Sequence, residues 1–536
     1  MGKLTAVKIS VAAVASIVLV SGASLGLVAM ASAMESGDSP LPTTAVRIAV
    51  TGTVRQIGQV PQPGSVPYKD CVLAIHLDTV RTLDPAAKIG NEVVVFTWGM
   101  RDNKLEPVSG YRVGQHVVLN LVPWKEAESH YGSVNRVELD DERLFLLSSY
   151  WADSIAISAS AGSSTSPGSR TQASTAVPDR GSESPATSDM AGAFARDLAA
   201  RATELRAAKQ NTLKGKDGWL FYGPELRSLG AGRFWGADAA KVSHSVNPKN
   251  ANPLPAILDF AAQLKAAGIE LIMVPVPAKA VIYPDKVSGV VSVAPGQAPP
   301  RLDRTLQEFY AILRGAGVTV LDLTDEMLAH RDGPDGAIFC RQDTHWSPRA
   351  VRFVAQHIKA ALLSRPWLAS IPKQRYVIRE QSIPIKGDLW GFLDDPSLSR
   401  EVLKVFVVSG PDGSPVESWR ESPVVLLGDS HNLIFNAGGD MQATAAGLPD
   451  QLAAELGFPV DLVSIRGSGA TPARISLMRR QDSLAGKKLV IWCFTSREFT
   501  EAPGGWAKVP VIGHQPVPQP QEKTSVARPA SVDHQG

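Results

Sequence analysis

From Ser154 to Ser188 the chain is made of Ser, Ala, Thr, Gly and Pro with almost no large apolar residue. Such a stretch cannot bury enough surface to offset the entropy of ordering it, so it reads as a flexible linker. It divides the 536 residues into two folding units, within the two or three domains that the length suggests. Ahead of it, about Thr44 to Leu147 holds β-branched runs bounded by Gly, Pro or Asp. Examples are Val46 to Arg55, Cys71 to Leu77, Glu92 to Trp98 and Val117 to Pro123, with Arg143 to Leu147 closing the set. Five or so short strands in about a hundred residues predict a small all-β domain over 44–150, an OB-like barrel or a sandwich. Such a domain serves either to bind a glycan or as a spacer.

The first residues read as a targeting element. Lys3 and Lys8 precede Ile9 to Met34, a run without a charge, and Ala31-Ser32-Ala33 fits a small-residue cleavage site. The run also exceeds the roughly 20 residues that span a bilayer. Residues 1–35 are therefore a cleaved signal or an uncleaved anchor, and either exports the rest. Net charge is +2, from 54 basic and 52 acidic side chains, which argues against a nucleic-acid partner. The three cysteines have no metal-knuckle spacing. Cys340 and Cys493 remain free to pair or not.

After the linker, placed at 151–189, strand and helix patterns alternate over 190–503. Strands are expected at Leu271 to Pro277, Val318 to Leu323, Val402 to Val408, Val424 to Gly428, Val460 to Val463 and Lys488 to Phe494. Helices are expected at Met190 to Gln210, Leu302 to Ala316, Pro348 to Leu363, Pro449 to Leu456 and Thr471 to Ser483. That alternation predicts an α/β domain with a parallel sheet covered on both faces. Residues 504–536, rich in Pro, Gln and Lys, read as a disordered tail.

Two segments of this domain carry chemistry. Val424 to Gly428 is an apolar run that delivers Asp429-Ser430 at a strand's carboxyl end, where open α/β sheets bind ligands. A helix starting at Asn432 would turn its N–H groups toward a developing oxyanion. Asp343-Thr344-His345 sets a carboxylate two residues from an imidazole, so that one can orient the other. A serine hydroxyl needs a base in reach, and histidine titrates where a base is useful. Taken singly, each motif is equally a helix cap or a packed histidine. Found together in one domain they favour a Ser430–His345–Asp343 acyl-transfer site. Asp429 and His431 supply a second pair, so a hydrolytic metal site is a rival reading. It would leave Ser430 idle, and neither metal nor cofactor is expected.

Lys214 to Arg497 resembles the SGNH-hydrolase-like domain of the alginate O-acetyltransferases AlgJ and AlgX. The matching pieces are Gly215 to Phe221, Val274 to Pro284 with Lys279 and Tyr283, Asp343 to Trp346, Lys386 to Leu389 with Asp388, and Gly428 to Ser430. In that family the Asp-x-His segment precedes the serine, a circular permutation of the usual SGNH order, and this chain follows it. The resemblance implies Ser430 as nucleophile, His345 as base and Asp343 as its partner. It implies a periplasmic role, at the outer face of the inner membrane, in acetylating a polysaccharide. Acetyl would be delivered by a membrane-bound O-acyltransferase. Lys279, Tyr283 and Asp388 fit the pattern as site or as packing residues. Trp346 and Trp390 are candidate sugar-stacking rings, Gly467 a pocket-lining residue, and Arg497 with Glu498 a supporting ion pair. The N-terminal β domain departs from the family, so the glycan is not fixed as alginate. A carbohydrate esterase with the same triad and a non-catalytic glycan-binding protein are the alternatives.

Overall fold

In the computed structural model, residues 41, 45–157, 185–393 and 395–513 are described. The expected targeting segment 1–35 lies outside them, as do 158–184 of the linker and 514–536 of the tail. Among the described residues no helix is long and apolar enough to cross a membrane.

The N-terminal unit is built on β1 (Ile48–Ile57), β2 (Cys71–Thr82), β3 (Val93–Arg101), β4 (His116–Pro123) and β5 (Ser149–Trp151). β1 pairs with β2 and β4, β2 with β3, β3 in parallel with β5, and β5 with β4, so the strands close into a ring. A closed ring leaves these five strands without a free edge. Its interior holds Val50, Val54, Leu73, Ile75, Val95 and Leu119. Helix α1 (Trp124–Tyr131) covers one outer face, its Trp124 and Tyr131 packing with Phe96 and Trp151. The expected strand over Arg143–Leu147 is instead a 3-10 turn, and the closing strand follows it.

Helix α2 (Pro185–Ala207) begins inside the segment read as linker, and strand structure persists to Ile157, past the expected end of the β domain. Helices α3 (Gly223–Gly230), α4 (Pro253–Ala266), α5 (Arg304–Gly315), α6 (Pro348–Leu362), α7 (Leu448–Leu456) and α8 (Thr471–Arg479) surround a parallel sheet. The sheet takes β6 (Glu270–Val276), β7 (Thr319–Val320), β10 (Val424–Gly428), β11 (Asp461–Ser464) and β12 (Leu489–Thr495), in the order β7-β6-β12-β10-β11. All seven residues of β12 are buried, as a central parallel strand requires. The run at Val402 does not join this sheet. It forms β9 (Glu401–Ser409), paired antiparallel with β8 (Val377–Ile385), and Val402 stays 66% exposed. Apolar residues on only one face suit a hairpin, not a strand covered on both sides.

The tail also starts later than composition suggests. Trp506, Val509 and Val511 are buried, and Gln263 Oε1 accepts from the Val511 and Ile512 N–H groups at 2.7 and 3.1 Å. Burying three large apolar side chains outweighs the local Pro and Gly content, at roughly 1.5–3 kcal/mol each. The two units are joined by a buried ion network. Glu138 accepts from Arg136 at 2.8 Å and from both Arg479 nitrogens at 2.6 and 2.9 Å. Arg136 also reaches Ser476 Oγ at 2.6 Å. Cys71, Cys340 and Cys493 are buried free thiols, so Cys340 and Cys493 do not pair.

Candidate active site

β10 ends at Gly428, where an added Cβ would meet the Cys493 carbonyl oxygen at 1.7 Å. Only glycine lets the strand close so tightly on β12. Asp429 then caps a single 3-10 turn, Ser430–Asn432, by accepting from His431 N at 2.8 Å. The expected helix at Asn432 does not form, because Phe435 turns left-handed at φ 61° and Gly438 follows at φ 70°. The helix N-terminus expected just after Ser430 is therefore not there.

The imidazole arrives from a loop, not from a strand end. Ser347 caps α6 by accepting from Ala350 N, and Trp346, fully buried, donates from Nε1 to the His431 carbonyl at 3.1 Å. This ties the two chemical segments together. His345 Nε2 lies 2.7 Å from Ser430 Oγ, and His345 Nδ1 lies 2.6 Å from Asp343 Oδ1. With Nδ1 donating to the carboxylate, the Nε2 lone pair faces the serine hydroxyl. Asp343 Oδ1 also accepts from the His345 N–H at 3.1 Å. Its Oδ2 accepts from Asp388 N at 3.1 Å and Gln442 Nε2 at 3.2 Å. Burial opposes ionisation of Asp343, but His345 and these donors win and hold it at about 2. Burial likewise favours neutral His345, yet Asp343 outweighs it and raises the imidazole above its ordinary 6.5.

The remaining expected residues divide into supports and bystanders. Asp388 accepts from Thr344 N at 2.7 Å and Thr344 Oγ1 at 2.5 Å, and burial with Asp343 nearby lifts it to about 6. Gly387, before it, lies so close that an added Cβ would meet the Gln342 carbonyl oxygen at 2.0 Å. Lys279 is buried, donating to the carbonyls of Leu220 at 2.9 Å and Asp343 at 2.5 Å, so it holds the loop from behind. Tyr283 accepts from Ile338 N at 3.0 Å and donates to the Arg331 carbonyl, a packing role away from the reacting atoms. Trp346 cannot stack on a sugar, being fully buried. Trp390 is half-buried, with Lys386 Nζ 5.2 Å from its ring. Arg497 bonds Thr495 Oγ1 at 3.2 Å and lies over Tyr222, with no salt bridge to Glu498. Glu498 is pushed up to about 8 by burial and then by Asp429, against the opposing pull of Arg497. Gly467 turns toward the β domain, where an added Cβ would sit 3.2 Å from Tyr68 Cε1.

His431 stands beside His345, ring centres 4.9 Å apart, with Nδ1 at 3.1 Å from Asp429. Burial drops it to about 4, so it stays neutral beside a histidine held high. Asp343, His345 and Asp388 place ligand-type atoms within 4.8 Å of one another. Those atoms already serve each other and Thr344, Gln442 and Ser430, which suits a relay better than a cation. Sequence reading missed Gln442 and Tyr68. Neither carries a signal: Gln442 is 99 residues from its partner, and Tyr68 comes from the other unit.

A five-stranded parallel sheet with a serine past a strand end, an imidazole and a carboxylate in line defines the class: an SGNH-hydrolase-like domain. Residues 212–496 match the family model described as SGNH hydrolase-like domain, acetyltransferase AlgX. The chain belongs to that family. It is 31% identical over 203 residues to the probable alginate O-acetylase AlgJ of Pseudomonas aeruginosa, covering 38% of this chain and 46% of that one. It is 26% identical over 326 residues to the protein of the same name from Azotobacter vinelandii, covering 56% and 74%. The chain spans about half the length of the first curated relatives it matches. Among solved structures, the O-acetyltransferase domain of Pseudomonas putida AlgJ aligns at TM-score 0.41 and 23% identity, covering 54% of this chain and 92% of that one.

Proposed function

We propose that this protein is an exported O-acetyltransferase that places acetyl groups on polysaccharide hydroxyls through an acetyl-Ser430 intermediate. The observation that carries the reading is the unbroken relay, Ser430 Oγ to His345 Nε2 at 2.7 Å and His345 Nδ1 to Asp343 at 2.6 Å. Ser430 Oγ attacks the acetyl carbonyl of the donor ester while His345 Nε2 takes its proton. His345 returns that proton to the leaving oxygen, and acetyl-Ser430 remains. A sugar hydroxyl then attacks the acetyl carbon, His345 removes its proton, and Ser430 is released protonated. Asp343 stays ionised and stabilises the imidazolium at both stages. Ser430 and His345 are each 6% exposed, a dry setting that favours a bound hydroxyl over water and so transfer over hydrolysis.

The relatives' names point to alginate as the kind of acceptor. The charge-free run after Lys3 and Lys8 supports a place in the periplasm or at the outer face of the inner membrane, with acetyl supplied by a membrane-bound O-acyltransferase. The order Asp343, His345, Ser430 along the chain supports the circularly permuted SGNH reading, and the ring order β1-β2-β3-β5-β4 supports an OB-like barrel. The test is product analysis with a chromogenic acetyl ester and an oligosaccharide. Wild-type protein should yield acetylated oligosaccharide and Ser430→Ala should not. Free acetate as the sole product in the presence of acceptor would replace this reading with an esterase.

A further inference from the structure

We propose that the seam between the β domain and helices α2 and α3 is a second binding site, for a carboxylated stretch of the polysaccharide acceptor. The proposal rests on the reading of this chain as a polysaccharide-modifying enzyme. A cavity of about 290 Å³ at that seam, with Ser65 on its rim, adjoins one of about 320 Å³ between α2, α3 and residues 241–244, and the two share Ala202, Arg206 and Arg227 as lining. Four cationic side chains line them, Arg206, Lys209, Arg227 and Lys241, and no Asp or Glu does among the described residues. Arg227 is paired with Glu501, and Lys241 with Asp238. Arg206 and Lys209 are exposed, and no carboxylate within salt-bridge distance answers them among the described residues. The whole chain is nearly neutral at +2, so the two unanswered cations, Arg206 and Lys209, are a local excess.

The other lining groups fit a sugar. Ser65, Thr203, Gln210, Asn211 and Ser243 offer hydroxyl and amide partners for ring hydroxyls. The concave shape and these neutral donors favour a chain of hydroxylated, carboxylated rings over a flat anionic lipid surface. Asn211 Nδ2 donates to the Ser65 carbonyl at 3.0 Å, tying the β-domain loop to the α/β unit at the groove. Three residues further along that loop, Tyr68 abuts Gly467. Gly469 in turn lies against the catalytic turn, where an added Cβ would be 3.0 Å from Asp429 N. The β-domain loop thus touches the cationic groove at Ser65 and, at Tyr68, the segment whose buried Gly469 packs against Asp429.

The test uses full-length Ser430→Ala protein, which binds without turnover, so its outcome is independent of whether Ser430 carries acetyl. Uronate oligosaccharides and neutral oligosaccharides of equal length are titrated calorimetrically. Arg206→Ala with Lys209→Ala should weaken uronate binding about tenfold and flatten its salt dependence, as loss of two exposed charge contacts implies. Lys265→Ala, on the exposed face of α4, removes a cation away from the groove and should leave binding unchanged. Equal affinity for neutral and uronate chains would overturn the proposal. So would an unaltered uronate affinity in the double variant, or binding only to vesicles of anionic lipid.

Discussion

Asp388→Asn should move the acidic limb of the pH–rate profile to lower pH while leaving the loop folded. Asp388 does not touch the serine. Its carboxylate accepts twice from Thr344, and asparagine can keep both contacts, its oxygen accepting from Thr344 N and its amide donating to Thr344 Oγ1. What disappears is a negative charge facing His345, and that charge is one of the influences that raise the imidazole. Ligand-type atoms of Asp388 and His345 lie within 4.8 Å. Unit charges at that distance interact by about 3.5 kcal/mol at an effective dielectric of 20, or about 2.5 pH units. Asp388 is half-buried, and screening by solvent brings the expected shift to about one unit. The sign follows from the base role. His345 works when neutral, its pKa is raised above 6.5, and removing an anion lowers it, so activity sets in at lower pH. The plateau should fall a few-fold, since a weaker base transfers protons less readily. The assay is kcat/KM for a small acetyl ester between about pH 5 and about pH 9, with thermal melting to show that the fold is kept. A limb that stays in place or moves upward would refute the assigned coupling between Asp388 and His345.

Glu138→Ala removes the carboxylate that neutralises buried Arg136 and Arg479 between the two units. It should cost about 3–5 kcal/mol, read as a lower denaturant midpoint, and an unchanged midpoint would mean the network is solvated. Gly428→Ala forces a Cβ into the Cys493 carbonyl and should abolish ester turnover or soluble expression. Normal activity would contradict the strand packing that places Ser430. Trp506→Ala should destabilise by about 3–5 kcal/mol in chemical denaturation, because the ring packs on Phe494 and Phe499. A neutral result would restore the view of this segment as a loose tail.

The sheet and the relay were legible for the same reason. Buried parallel strands such as Val424 to Gly428 leave continuous apolar runs, and a nucleophile at a strand end stands out against them. The Asp-x-His spacing is local, so its geometry follows from one short loop. Long-range features left no such trace. Gln442 reaches Asp343 only because a left-handed residue and two glycines fold its loop back. Tyr68 meets Gly467 across the junction of the two units, where Glu138 of the barrel holds Arg479 of α8. The helix expected at Asn432 failed where backbone reversal at Phe435 overrode an apolar run. Val402 to Val408 looked like a sheet strand because period-two burial in a hairpin and full burial in a sheet share β-branched composition.

The most direct measurement is mass spectrometry of the protein after brief exposure to an acetyl ester, with the modified peptide sequenced. A single acetyl on Ser430, absent from the His345→Ala protein, is the result that a proton-abstracting imidazole demands. An unmodified Ser430 in an enzyme that still turns the ester over would show that the hydroxyl past the end of β10 is not the attacking group.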